Sequence, residues 1–177
     1  MTSSIRKARG DDAGALAALA AVTFPLACPP SSSPQDIATH LANTLSERHF
    51  QGHLADPDVI ILVIDASGDL RGYSLLVNRP AADPDVVSAL KILPSVELSK
   101  CYVHPEHHGL GAAAELMHAS LQAAAEAGGQ GVWLGVNSHN ARAIRFYEKS
   151  GFRKVGTKSF RLGSTVEHDF VLERTVP

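Results

Sequence analysis

Residues 103–113 read V-H-P-E-H-H-G-L-G-A-A, and their types suit the binding of a phosphate. A strand-like run ends at Val103, where Pro105 stops it. Gly109, Gly111 and Ala113 then stand as small residues where an alanine-rich helix begins. The first turn of a helix carries orphan N–H donors, and its dipole favours negative charge. Small side chains let an anion approach that backbone closely. Close packing of a helix on a strand also produces glycine-rich helix starts. No G-K-[ST] follows, which excludes a Walker loop, and a dinucleotide-binding fingerprint lacks its third glycine. The turn reads as a cradle for a diphosphate.

A second constellation follows at residues 136–152, V-N-S-H-N-A-R-A-I-R-F-Y-E-K-S-G-F. In their order and separation, the two segments resemble the acetyl-CoA-binding core of the GNAT superfamily of N-acetyltransferases. That family's first motif is Arg or Gln, two residues, Gly, one residue, then Gly or Ala. The run His108, Gly109, Leu110, Gly111, Ala112, Ala113 matches it except at the first position. The second motif, N-x-x-A-x-x-F-Y-x-x-x-G-F, is matched in full by Asn140, Ala143, Phe146, Tyr147, Gly151 and Phe152. The resemblance covers roughly residues 59–174, whereas residues 1–58 match only in general plan. It implies one domain over residues 1–177, with 59–174 as the acetyl-CoA core and 1–58 as a divergent acceptor-side part. It also implies an α/β fold with a mixed, mostly antiparallel central sheet, helices on both faces and strands splayed at the cofactor site.

Acyl transfer from a thioester to an amine makes three demands. A lysine-like amine has a pKa of about 10.4, so freeing its lone pair at pH 7 costs roughly 4.6 kcal/mol, and a base lowers that barrier. The departing thiolate, with a cysteine-like pKa of about 8.5, benefits from a proton donor. The oxyanion needs a backbone N–H, which a strand opened by a bulge can supply. Tyr147, two turns past the helix cap Asn140, is the candidate acid, and the resemblance assigns that role to the tyrosine of F-Y-x-x-x-G-F. Its alternative is a core tyrosine bonded to a backbone carbonyl. Glu97 is the candidate base, since a carboxylate entering a strand is costly without a partner or function. Period-two alternation puts Glu97, Ser99, Cys101 and Val103 on one face. In similar enzymes an acid at this point often leads a water to the amine; a strand-end salt bridge is the alternative.

By the same resemblance, Tyr102 and Val103 hold the pantetheine arm through their backbone. Asn140 caps its helix and contacts the CoA moiety, with Ala143 alongside it. His108 is the departure. A mostly neutral histidine donates fewer bonds to phosphate, so weakened or pH-sensitive CoA affinity is expected, the backbone cradle being independent of it. His104, His107, His108 and Glu106 form an H-x-x-H-like cluster, but at a turn without a helical i, i+4 pair, so no metal is expected. Cys101 reads as a small buried hydrophobe and Trp133 as core. Arg142, Arg145, Glu148 and Lys149 form a charged helix face from which Arg142 is in reach of phosphate.

The expected acceptor is a small-molecule primary amine, simple or amino-acid-like; a protein N-terminus or lysine is the runner-up. Its contacts should come from the parts least covered by the resemblance, with Asp36, Asp83, Asp85 and Glu97 as candidate acids. A CoA-binding sensor without turnover, or a metal-dependent hydrolase using the histidines, are the rivals from other classes. A homodimer is common among similar enzymes.

Composition narrows the rest. The chain has 177 residues, 45% of them hydrophobic, and a formal net charge of −2, which gives no drive toward nucleic acid or an anionic membrane. No apolar run nears the ~20 residues of a membrane span, and no signal-peptide core is present. Two cysteines, Cys28 and Cys101, do not make a disulfide framework, so a reducing cytoplasm is the default. Along the chain, strands are expected at 5–9, 59–65, 70–78, 96–103, 132–136, 152–160 and 166–173. Helices are expected from Asp11 or Asp12 to Val22, from Pro34 to Phe50, from Gly109 to Ala127 and from Asn140 to Ser150. Residues 24–34 read as irregular, and 79–94 as an insertion with a helical turn at 86–92. A stripe of Leu110, Ala114, Met117, Leu121 and Ala124 should bury the long helix.

Overall fold

A computed structural model describes residues 2–177. Its strands are β1 (Ser4–Lys7), β2 (Val59–Ala66), β3 (Asp69–Val77), β4 (Ser95–Val103), β5 (Gly131–Asn137), β6 (Arg153–Leu162) and β7 (Thr165–Thr175). They form one seven-stranded sheet in the order β1-β2-β3-β4-β5-β7-β6. All neighbours are antiparallel except β4 and β5. The V-I-I-L-V-I run of β2 is buried on both faces, as its unbroken apolar character requires. Ser67 (φ 57°) and Gly68 (φ 93°) make the left-handed turn into β3.

Helices cover both faces. On one lie α1 (Ala13–Ala27) and α3 (Glu47–Ala55), packed over β3 and β2 through Leu16, Leu19, Phe24, Phe50 and Tyr73, and α2 (Pro34–Thr44), which rests on α1 and β6. The other face is covered by α5 (Ala112–Glu126) and α6 (Ala141–Lys149). The short α4 (Pro84–Ala89) seats Val86 on Trp133 and Val171.

Three expectations need correction. First, α1 runs through Pro25 to Ala27 instead of stopping at Val22. Phe24 is buried and stacks on His40 at 4.6 Å between ring centroids, so packing carries the helix past a local breaker. Second, the helix expected over 34–50 is two, because Ser46 accepts the His49 N–H and starts α3 anew. Third, Leu110 is 74% exposed and Ala114 is exposed as well, while Leu116, Met117, Leu121 and Ala124 supply the buried stripe of α5.

Asp12 does not cap α1 with its side chain. It accepts from Arg6 Nη1 at 2.8 Å and from the Arg9 N–H at 2.7 Å, and Arg6 Nε also donates to Asp65 at 2.8 Å. The Arg6 bond holds the Asp12 carboxyl below its ordinary range. A carboxyl whose folded pKa lies below its unfolded value adds stability above the unfolded value, and loses it as pH falls through the folded one. Arg6→Met should therefore cost about 1–2 kcal/mol at pH 7, and the deficit should close as denaturation is repeated toward pH 2. A deficit unchanged with pH would locate the loss in packing instead.

Candidate active site

Strands β4 and β5 pair only between Ser95–Glu97 and Gly131–Trp133. Beyond Glu97 they part, and a cleft of about 640 Å³ opens between them. Its walls include Glu97, Tyr102, Val103, His108, Gly109, Gly111, Ala113, Asn140, Ala143 and Tyr147. Leu110 and Ala112, from the same expected set, do not line it.

At one end is the glycine turn. Gly109 (φ 79°) and Gly111 (φ 80°) are left-handed, and a Cβ at either position would meet no atom within 4 Å. Among the described residues, the N–H groups of Gly109, Leu110 and Gly111 donate to no backbone carbonyl; the Glu115 N–H is the first of α5 to do so, reaching Gly111 O at 3.1 Å. Left-handed glycine followed by a helix start is a concave set of donors suited to an anion. Asn140 caps α6 beside it, its Oδ1 accepting the Ala143 N–H at 3.1 Å.

Tyr147 lies on the inner side of α6, its ring 6.0 Å edge-on from Phe152 and 5.5 Å from Phe146. Burial pushes its phenol well up, with Cys101 and Tyr102 adding smaller contributions. The hydroxyl is therefore protonated across the physiological range. It is a donor.

Glu97 sits where the strands begin to part. The even alternation expected for β4 fails: Leu75 pairs with Lys100 and Leu76 with Leu98, so Ser99 is a bulge. Val96 and Leu98 before it, and Cys101 and Val103 after it, all face α5, whereas Tyr102 faces the α1 side. One extra residue thus puts Glu97 with Lys100 and Tyr102, not with Cys101 and Val103. Burial raises the Glu97 carboxyl, and Lys100 and Lys158 partly oppose that. It forms no ion pair within 4.0 Å among the described residues.

Comparison with known proteins agrees with this geometry. The acetyltransferase (GNAT) family profile matches residues 26–152. The chain belongs to that family. An uncharacterized N-acetyltransferase of Mycobacterium tuberculosis is 47% identical over 163 residues, covering 92% of this chain and 97% of the relative. The solved PaiA N-acetyltransferase of Thermoplasma acidophilum, in complex with coenzyme A, shares the fold at TM-score 0.78 and 21% identity, covering 99% of both chains. The yncA acetyltransferase of Salmonella typhimurium, with acetyl-CoA, matches at TM-score 0.65 and 22% identity over all of this chain and 95% of its own. As a GNAT protein, the chain is an acetyl-CoA-dependent acyltransferase.

Where the GNAT motif has Arg or Gln, the His108 ring is engaged at both nitrogens. Nε2 lies 2.7 Å from Val103 O and Nδ1 lies 3.0 Å from Arg142 Nη2. A nitrogen facing a carbonyl donates and one facing a guanidinium accepts, which is the role of the tautomer protonated at Nε2. His108 thus docks Arg142 at the glycine turn. Nearby, His104, Glu106 and His107 each bring a ligand atom within 4.8 Å of the others, and His104 Nδ1 accepts the Glu106 N–H at 3.2 Å.

Both thiols in the cleft are held protonated by burial, Cys101 pushed up to about 12 and Cys28 to about 11. Of the four acids considered for the acceptor, only Glu97 lines the cleft; Asp83 instead caps α4 by accepting the Asp85 N–H. Sequence reading missed Lys100, Lys158 and Asp169, which also line the cleft. Period-two patterning of β6 and β7 places Lys158 and Asp169 on some face, but not beside Glu97.

Proposed function

We propose that this protein transfers the acetyl group of acetyl-CoA to the nitrogen of a small primary amine. One observation carries the reading: a single cleft joins the glycine turn, the open edge of β4, the Tyr147 phenol and the Glu97 carboxyl. The cosubstrate's fit rests on the free N–H groups and uncrowded glycines of the turn. Gly109, Gly111, Ala113 and Arg142 would hold the diphosphate, and Tyr102 and Val103 the pantetheine arm; the PaiA and yncA relatives carry coenzyme A and acetyl-CoA. When bound, acetyl-CoA supplies an acetyl group activated as a thioester.

The chain's own residues account for the proton movements. Glu97, ionised, accepts a proton from the incoming ammonium directly or through a water, exposing the lone pair. As the N–C bond forms and the C–S bond breaks, Tyr147 donates its proton to the departing sulfur, and the surplus proton on the new amide nitrogen passes to the phenolate and restores it. Residues 59–174 are read as the cosubstrate core. The first 58 residues contribute Thr23, Phe24, Cys28 and His40 to the opposite wall, where the acceptor enters.

Thiol release from acetyl-CoA over a panel of small amines tests the reading, with acetylated product identified by mass. Turnover with at least one amine is expected; tight coenzyme A binding with no turnover on any amine, or on protein N-termini and lysines, would favour a sensor. For Glu97→Gln, kcat/KM should fall roughly 100-fold. Because burial raises this carboxyl, the wild-type rate should climb with pH through a value above the ordinary glutamate range, and the variant should lack that limb. A limb retained in the variant assigns it to another group.

His108 and Arg142 offer a separate check. Each alanine variant should weaken coenzyme A binding by about tenfold, and the double variant by about the same factor, because one removal already undoes the pair. Calorimetry showing a hundredfold loss in the double variant would make the two independent.

A further inference from the structure

The wall of the cleft on the α1 side of the sheet holds charges that the proton transfers leave partly unused. Lys100 and Glu97 reach it from β4, on the face set by the Ser99 bulge. Lys158 and Asp169 reach it from β6 and β7, where they stand opposite each other in register. Gly135 of β5 makes room, since a Cβ there would fall 2.6 Å from Lys158 Cε and 3.4 Å from an Asp169 oxygen.

None of the four belongs to an ion pair within 4.0 Å among the described residues. Lys100 Nζ bonds only to its neighbour, at 3.3 Å from Ser99 O and 3.1 Å from Ser99 Oγ. Asp169 is 8% exposed, and its Oδ1 has no hydrogen-bond partner. Burying charge without a partner costs several kcal/mol, so an unpaired set in a cleft marks groups whose partners arrive with a ligand. Burial moves Lys100 down and Asp169 up, with Glu97 and Lys158 respectively opposing those shifts only in part.

With Glu167, which also lines the cleft, two lysines and three carboxylates face it, and a simple alkylamine, with one positive charge, leaves both lysines unmatched. They match a molecule with both signs. In the same cleft Phe24 stacks on His40 at 4.6 Å and Phe160 meets His40 edge-on at 5.6 Å, an aromatic wall for a side chain.

We propose that the acceptor is a free amino acid or close analogue, whose carboxylate is taken by Lys100 with Lys158 and whose ammonium is received between Asp169 and Glu97. Aliphatic or aromatic side chains would lie on the Phe24–His40–Phe160 wall. This rests on the acetyl-transfer reading and narrows its substrate.

The test compares matched acceptors that differ only in the carboxylate: phenylalanine against phenethylamine, and leucine against isoamylamine. In the wild type, kcat/KM for the amino acid should exceed that for its amine by roughly 100-fold, because a site built for a charged group rejects the analogue lacking it. Lys100→Met should shrink that ratio at least tenfold, chiefly through KM, and Lys100→Arg should restore most of it. Asp169→Asn should raise KM for both members of a pair. Amines acetylated as fast as amino acids would overturn the proposal while leaving acetyl transfer standing. No turnover of either class, with coenzyme A still bound, would overturn the small-amine reading as well. Should Lys100→Met fail to fold, the wild-type ratio alone decides.

Discussion

Tyr147→Phe should lower kcat by roughly 10²–10³-fold while leaving coenzyme A affinity within a factor of about 3. The substitution removes one oxygen and keeps the ring against Phe146 and Phe152, so the packing of α6 survives. The helix is set by the Asn140 cap and by left-handed Gly151 (φ 91°), neither of which the substitution touches. What is lost is a donor that burial keeps protonated. A buried phenol is a weak acid, yet a thiolate leaving in the same dry cleft is raised in the same sense, so burial does not by itself widen the gap between them, and the transfer is driven by being coupled to C–S cleavage. Because this interaction exists only as sulfur departs, its loss belongs in kcat and not in ground-state binding. Single-turnover thiol release and calorimetry separate the two. A variant turning over within about threefold of wild type would leave Tyr147 as a core tyrosine.

Gly111→Val should abolish coenzyme A binding at concentrations that saturate the wild type, a loss of roughly 100-fold or more, and should cost about 2 kcal/mol of stability. Gly111 holds φ 80° at the N-cap of α5, a conformation in which a β-branched residue is strained. Its missing Cβ faces open space, so the structure itself does not require glycine for packing. That space, on the wall of the cleft, leaves room for a ligand. Gly111→Ala separates the effects: it carries the backbone strain with one methyl, and should lose less binding than valine. Melting curves read the strain and calorimetry reads the occlusion. Coenzyme A bound normally by a destabilised valine variant would mean that the diphosphate is held elsewhere.

Much of the scaffold was legible before any coordinates. The strands expected at 59–65 and 70–78 agree with β2 and β3 to within a residue, because backbone sterics act within a few residues. The Asn140 cap was equally local. The order of elements predicted a mixed sheet, and the two motifs predicted the cleft between parting strands. Where local signals competed with packing, they misled. Pro25 did not end α1, because Phe24 gains more from the core than the helix loses at a terminal proline. Leu110 looked like part of a stripe, but the left-handed turn at Gly111 starts the helical phase afresh after it.

Bonding confined to a few neighbouring residues is thus what the chain alone determined: strands, caps, the glycine turn and the tyrosine helix. The tertiary structure decided which side of the sheet each charge occupies. A single bulge at Ser99 puts Lys100 on the same α1 side as Glu97, and only strand pairing brings Asp169 and Lys158 into the same cleft. Register is a long-range property, set by how whole strands share hydrogen bonds, and no short window of residues encodes it.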